Sequence, residues 1–420
     1  MTRIIPDVKM TKFDILIVGG GAAGFFTAIN LAEKNPQLKI AILERGKDVL
    51  TKVKISGGGR CNVTHAEFIP KELSKKYPRG EKELLGPFHT FMTGDTIAWF
   101  EEHGVELKIE EDGRMFPVTD SSATIVDCFI SLARKHHIEV LTNHAVQDVG
   151  FDDAFAKAQT TNTFFVKTSK GVFTCDKLVM TTGSNPKMWK LLEKLGHTIT
   201  NAVPSLFTFN IKDKRIEGLM GVAKDVTIKV LGTKQKSEGP LLITHWGMSG
   251  PAILKLSAWG ARDLAAINYK FDIQVNWLQH YSQEEALEML MELKMAHAKQ
   301  SPHTYAQLDL PKRLWQSLLI AAGIQPSIKW AELTKRQLQS LSRELTQSRY
   351  KVDGKSTFKE EFVTAGGVNL KEVHFKTFES KKVNHLYLAG EVLNIDAITG
   401  GFNFQNAWTG GYLIAQAIDS

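Results

Sequence analysis

Cysteine is scarce. Cys61, Cys128 and Cys175 are the three in 420 residues. No two of them stand in a CxxC spacing, so neither a zinc site nor a disulfide framework is expected. That usage suits a reducing compartment and sets a cytoplasmic location as the expectation. Long apolar runs are missing too: no stretch approaches the ~18 residues of a membrane span. The opening residues MTRIIPDVKM carry no apolar segment of the signal-peptide kind. Dense cationic blocks are also absent. The richest stretches, Lys71 to Lys82 and Arg349 to Lys359, are mixed with acids, which excludes a nucleic-acid tail. The expectations are therefore no membrane and no metal.

What is present is ordinary globular composition, 43% apolar and 23% charged. Lys plus Arg number 52 against 45 Asp plus Glu, a net charge of +7. That balance admits an anionic partner such as RNA or a phosphate-bearing substrate, and equally describes a plain soluble surface. A chain of 420 residues holds two or three domains at ~100–200 residues each.

The segment Phe13 to Val18 (FDILIV) is short, apolar and β-branched, and glycines follow it. It reads as a buried parallel strand. Phe25 to Glu33 reads as a helix stopped by Asn35-Pro36, and Lys39 to Glu44 as a second strand. Together they form a βαβ unit. Helices are expected at Thr93 to His103 and Ser121 to His136, with a hairpin between them around Asp112-Gly113. Strands are expected at Ile138 to Leu141, Thr163 to Thr168, Val172 to Cys175 and Leu178 to Thr182, the last running into Gly183. From Val203 to Trp277 short alternating strands suggest a β-rich insertion. Helices follow at Ser282 to Lys299, where Ser282 and Glu285 make a capping box, and at Pro311 to Ala322 and Thr334 to Gln347. Leu386 to Ala389 returns to buried-strand character, and the last helix is expected at Phe404 to Ile418. The chain thus begins in a dinucleotide fold, leaves it and comes back.

Gly19-Gly20-Gly21-Ala22-Ala23-Gly24 matches GxGxxG. Gly19 permits a tight turn with positive φ, Gly21 lets a pyrophosphate reach the backbone, and Gly24 lets helix and sheet pack closely. The helix start offers N–H groups and a positive dipole end. Glu44 lies about 20 residues past the last glycine, where a carboxylate accepts from ribose hydroxyls and repels a 2′-phosphate. The bland alternative, a chance glycine turn, is weakened by the strand before it and the helix after it. FAD rather than NAD is favoured by two features. Lys52 to Asn62 (KVKISGGGRCN) suits an extended anionic cofactor, and Gly390-Glu391 with Thr399-Gly400-Gly401 brings a second helix start into the domain. The bland reading is two ordinary glycine loops. No second GxGxxG follows a strand, so NAD(P)H is expected only as a transient electron donor.

These segments make the chain recognisable. It resembles the BaiN/RdsA-like family of bacterial FAD-binding flavoproteins through DILIVGGGAAG (14–24), KISGGGRCNVT (54–64) and DGRMFPV from Asp112. The likeness continues through ITHWGMSGPAIL (243–254), LPKRL (310–314), VTAGGV (363–368) and GEVLNIDAITGGFNFQNAW (390–408). The resemblance implies an α/β fold: a Rossmann-like FAD-binding domain with an inserted β-barrel-like subdomain and a helical subdomain. The expected division is 1–200 and 355–420 for FAD, 201–280 for the β-rich insertion and 281–354 for the helical one. It further implies flavin and pyrophosphate surroundings at Lys52, Ser56, Gly57, Gly59, Arg60, Cys61 and Asn62. Ribityl and ring surroundings are implied at Gly390, Glu391, Gly401, Phe402 and Asn403, and backbone contacts to adenine near Ala145-Val146. Ala22, Ala23, Arg45, Thr182 and Gly183 complete the expected cofactor set. One departure stands out. The family's TGG-x-S-x-P segment and the glycine loop after it are reduced here to TTGSNPKMWKLL (181–192), which predicts a more open flavin cleft.

Two residues are candidate catalysts. Cys61 could protonate a carbon while hydride arrives from reduced flavin, or could simply fill space beside the cofactor. His245 could donate a proton or orient substrate, or could only brace its turn to Ser249-Gly250. Arg60 suits a phosphate anchor and would otherwise be a surface arginine. Trp246 and Trp408 suit ring stacking or plain packing. The resemblance points to an FAD-dependent oxidoreductase reducing a C=C bond, uridine to dihydrouridine in 23S ribosomal RNA. The alternatives are a small-molecule flavoenzyme, acting on enones such as oxo-bile acids or on amines, and a non-enzymatic flavin-binding protein.

Overall fold

The computed structural model describes residues 10–151, 163–356 and 363–418. The chain forms two compact units. The first takes 1–202 and 363–420, and the second takes 203–362. The fold is mixed α/β.

In the first unit a parallel sheet runs in the order Leu386–Leu388, Val172–Met180, Thr11–Val18, Ile40–Leu43, Glu139–Leu141. The first strand is central, with Ile15, Leu16 and Ile17 fully buried, as a strand covered on both faces requires. The expected strands Val172 to Cys175 and Leu178 to Thr182 are one continuous strand. The polar pair Asp176-Lys177 between them is not a turn. Lys177 stays in register with Ile15, and Asp176 pairs with Lys12 at 3.3 Å. The early half of this strand carries the antiparallel hairpin of Val146–Phe151 and Phe164–Thr168, and its late half receives the returning Leu386–Leu388.

The helix Ala22–Lys34 packs along the final helix, Phe402–Ala417. Gly411 inside that final helix permits the approach. A side chain at Gly411 would meet Thr27 Oγ1 at 3.0 Å and the Ala23 carbonyl at 3.2 Å. Each helical glycine costs about 1 kcal/mol against alanine, and close contact between helices offsets that cost. Lys34 donates to the Gln416 carbonyl at 2.7 Å, tying the two helix ends together.

The second unit holds an antiparallel sheet in the order 348–353, 270–276, 223–230, 236–243, 247–249, 208–210, 355–356. Its two outer members are one stretch of chain bent at Gly354, whose φ is +99°, so the sheet curls into a barrel. The capping box at Ser282 and Glu285 forms as expected and starts the helix Gln283–Ala296. Barrel residues (Ile228, Leu241, Ile273, Tyr350) and helix residues (Leu290, Trp315, Leu318, Leu341) share one hydrophobic core. Helices also lie where strands alone were expected, at Pro251–Trp259 and Ala261–Ala266. Pro251 at the first helical position with Gly250 before it is a helix start hidden inside a β-rich stretch.

Candidate cofactor and active site

The three motif glycines meet three different constraints. Gly19 has φ +116°, and a side chain there would strike the Thr181 carbonyl. Gly24 has no room because of the Gly19 carbonyl, whereas a side chain at Gly21 would meet nothing within 4 Å. So Gly19 and Gly24 lack side chains for the protein's own packing, and Gly21 keeps an open approach. No side chain caps the helix that follows, which leaves its first N–H groups for an anion. Ala22 and Ala23 form its first turn.

Glu44 is held before any ligand arrives. Its Oε2 accepts from the Gly20 N–H at 2.9 Å and its Oε1 from the Gly46 N–H at 2.7 Å. A carboxylate has about four acceptor positions, so capacity remains for ribose hydroxyls. The backbone N–H of His144 donates to the Glu44 carbonyl at 2.8 Å, which brings the segment leading to Val146 alongside. Arg45 is exposed.

Lys52 to Asn62, expected to let an extended anionic cofactor approach the backbone, lies in a segment that begins as a helix at Thr51 and leaves helical geometry at Ser56–Gly58. Gly57, Gly58 and Gly59 have φ of +58°, +68° and +86°, and Cys61 follows at +62°. For a non-glycine residue that conformation costs about 1–2 kcal/mol, and strain of this kind concentrates at functional sites. Ser56 holds the turn, its carbonyl accepting from the Cys61 N–H at 3.0 Å while its hydroxyl donates to the Val53 carbonyl at 3.0 Å. Cys61 is fully buried. Burial pushes its thiol up to about 12, against a hydrogen bond with Ser56 that lowers it.

The C-terminal loop closes on both segments. Lys52 Nζ lies 2.5 Å from Glu391 Oε2, and a side chain at Gly390 would touch Ala23 Cβ at 3.4 Å. Gly183, φ +59°, faces Glu391 Oε2, 3.9 Å from where its Cβ would stand. Asn62, with its amide oriented to satisfy its neighbours, accepts from the Gly401 N–H at 3.0 Å and donates to the Thr64 carbonyl at 2.9 Å. Asn403 Oδ1 accepts from the Ala397 N–H at 3.0 Å. The Phe402 carbonyl accepts from the Tyr77 hydroxyl at 2.6 Å.

Some expected residues lie elsewhere. Arg60 turns to acids rather than to the glycine turn: its Nη1 is 2.5 Å from Glu110 and 3.4 Å from Asp120, and its guanidinium sits 3.9 Å over the Phe116 ring. Trp408 is core. Its Nε1 donates to the Val63 carbonyl at 2.9 Å, and Phe404 stacks on it at 5.5 Å. His245 is exposed, as is Trp246, in the turn between Lys236–Ile243 and Gly247–Ser249 of the second unit.

Two residues escaped the sequence reading. His65 donates from Nδ1 to the Gly400 carbonyl at 3.1 Å and packs tilted against the Phe402 ring, 4.5 Å between centroids. Burial holds its pKa below the ordinary histidine value, so the neutral ring is the resting form. It lies just past the SGGGRCNVT stretch, and following that motif one residue further would have found it. Arg79 grips the fully buried Asp396 in a two-pronged ion pair that pins the C-terminal loop. Nothing in the sequence near Arg79 announces this. The shortened segment after Gly183 places the helix Pro186–Lys194, capped by Asn185, directly on that loop, with Trp189 Nε1 donating to the Val392 carbonyl at 3.0 Å.

The residues fit a dinucleotide with a flavin. Gly21, Gly58 and Gly59 each face open space. Thr182 Oγ1 is buried with no hydrogen-bond partner, a group that a bound ligand would satisfy. Two helix starts, at Gly21 and Gly401, lack side-chain caps. Fold and cradle together define an FAD-dependent oxidoreductase. The chain belongs to the HI0933-like protein Rossmann domain family, which it matches over residues 13–417. It is 29% identical over 97% of its length, and 98% of the relative's, to a protein of Escherichia coli named ribosomal RNA dihydrouridine synthase. It is 26% identical over 96% of its length, and 98% of the relative's, to a 3-dehydro-bile acid delta(4,6)-reductase of Clostridium scindens. In fold it is similar to a 3-ketosteroid-delta4-(5alpha)-dehydrogenase of Rhodococcus jostii. That likeness covers 99% of both chains at 12% identity, with a TM-score of 0.52. Among the described residues no helix is long and apolar enough to cross a membrane, and no group of acidic, histidine and cysteine side chains could hold a metal ion.

Proposed function

We propose that the protein reduces the C5–C6 bond of a uridine in 23S ribosomal RNA, giving dihydrouridine. The observation that carries this reading is end-to-end similarity to a relative named for that reaction, joined to a cradle built from both chain ends. Bound and reduced FAD would supply the hydride, and NAD(P)H serves as the transient donor that reduces it.

The chain's own residues hold the cofactor and move a proton. Gly19, Gly21, Gly24 and Glu44 take the adenosine and pyrophosphate side. The Ser56–Asn62 turn, Gly390, Glu391, Gly401, Phe402 and Asn403 take the flavin side, with Thr182 and Gly183 between. Hydride goes to C6 and a proton to C5, so one acid is needed. Cys61 keeps its proton at neutral pH but is sealed from solvent, a geometry that favours packing against the cofactor. We therefore assign the proton to His245, which is exposed and of the residue type most used for general acid–base work. The target base would have to be unstacked first.

Deleting the gene tests this: one uridine of 23S rRNA is expected to lose its dihydro form, and an unchanged rRNA contradicts the reading. A second reading, reduction of a small enone, is favoured by the bile-acid reductase relative. It predicts turnover of free small substrates without RNA.

A further inference from the structure

The barrel of the second unit carries a row of cations on its outer face. Lys229 stands opposite Lys236 on one neighbouring strand and opposite Gln274 on the other, and Gln274 stands opposite Arg349 on the next. Directly opposed residues share a face of the sheet. The flanking Ile228, Val230, Ile273 and Tyr350 are buried in the core, so this row points outward, and its three cations are exposed. Three strand spacings of ~4.8 Å make the row about 14 Å long.

A hollow of about 320 Å³ opens beside the row, lined among others by Thr227, Lys229, Lys236, His280 and Tyr281. Tyr281 is 50% exposed, so its ring is open to a ligand. The same face carries the carboxylates Asp225, Glu238, Asp272 and Asp353, and Glu238 lies 2.6 Å from Lys236. That ion pair is exposed on both sides and weakly held, so an incoming phosphate can compete for the lysine.

We propose that this row and hollow bind single-stranded RNA, with phosphates along Lys236, Lys229 and Arg349 and one unstacked base against Tyr281. Cations that track a backbone beside an aromatic face are what sequence-tolerant single-strand binding requires. The proposal rests on the ribosomal RNA reading above and gives it a place where the strand is held.

The test uses the full-length, flavin-loaded protein and a fluorescent single-stranded RNA copied from 23S rRNA, with anisotropy measured across a KCl series. The triple variant Lys229→Gln, Lys236→Gln, Arg349→Gln is expected to bind at least ~10-fold more weakly. Its plot of log affinity against log salt should be shallower by about 2, at ~0.7 per lost phosphate contact. Tyr281→Ala is expected to bind ~10-fold more weakly with an unchanged slope, because stacking releases no counterions. Unaltered flavin absorbance and melting temperature show that both variants fold. A triple variant whose affinity or slope equals that of the unaltered protein overturns the docking surface and leaves the ribosomal RNA reading standing. Folded, unaltered protein that binds no RNA overturns both.

Discussion

The two units spend their glycines and their apolar residues differently. In the first, glycines sit where chemistry or close approach demands them. Gly19 and Gly24 have no room for a side chain, Gly21, Gly58 and Gly59 face open space, and Gly401 abuts the Thr64 carbonyl. In the second, one core joins barrel and helices through large side chains such as Trp277, Trp315 and Trp330. The lesson is that the first unit is shaped around something it must hold. The second is shaped around itself and presents its chemistry outward, in His245 and the cation row.

That contrast can be broken by mutation, and the largest effect is expected in the cradle. Gly24→Val would push its side chain into the Gly19 carbonyl, and purified protein should carry no flavin absorbance. Flavin retained at full stoichiometry would refute the reading of this turn. Next, His245→Asn should lower dihydrouridine formation by about 10²–10⁴-fold, the usual worth of a positioned acid, with flavin content intact. Cys61→Ser should keep most activity; if instead it alone abolishes turnover, the proton belongs to Cys61. In the second unit, Trp315→Ala removes a buried ring and its bond to the Pro302 carbonyl at 2.8 Å. About 3–5 kcal/mol of stability should go by urea titration, with flavin retained in the folded fraction.

Smaller effects sharpen the comparison. Glu44→Gln leaves the shape of the site but removes the charge that accepts from ribose. FAD should bind about 10-fold more weakly by fluorescence titration, as loss of a charge-assisted hydrogen bond implies. The smallest effect concerns pH. His65 has a folded pKa held down by burial, so the unfolded chain takes up its proton first as pH falls. Stability from this group is therefore full above the ordinary histidine value near ~6.5 and declines below it. His65→Phe, which keeps a ring against Phe402, should flatten the drop in melting temperature between about pH 7 and 5.

Much of the first unit was legible because its signals are local. A strand, three spaced glycines and an acid at a fixed distance can each be read from neighbours in the chain, as can, in the second unit, the cap at Ser282. What escaped depends on partners far along the chain. Arg79 meets Asp396, His65 meets Gly400, and the unbroken strand Val172–Met180 needs Ile15 beside Lys177. Arg60 was read as a phosphate anchor because guanidinium suits phosphate. Glu110 and Asp120, distant in sequence, take it instead. From its own residues the barrel was legible only as β-rich, and the barrel form was implied by the family resemblance alone, since its closure depends on Gly354 bending one strand across both sheet edges.

The central claim is that a uridine of ribosomal RNA receives the hydride. The most direct measurement is anaerobic: the protein's flavin is bleached with NADPH or NADH, excess donor is removed, and unmodified 23S rRNA is added. Return of the oxidised flavin spectrum, matched mole for mole by new dihydrouridine, is the expected result. A flavin that stays reduced with rRNA but reoxidises with a small enone would contradict it.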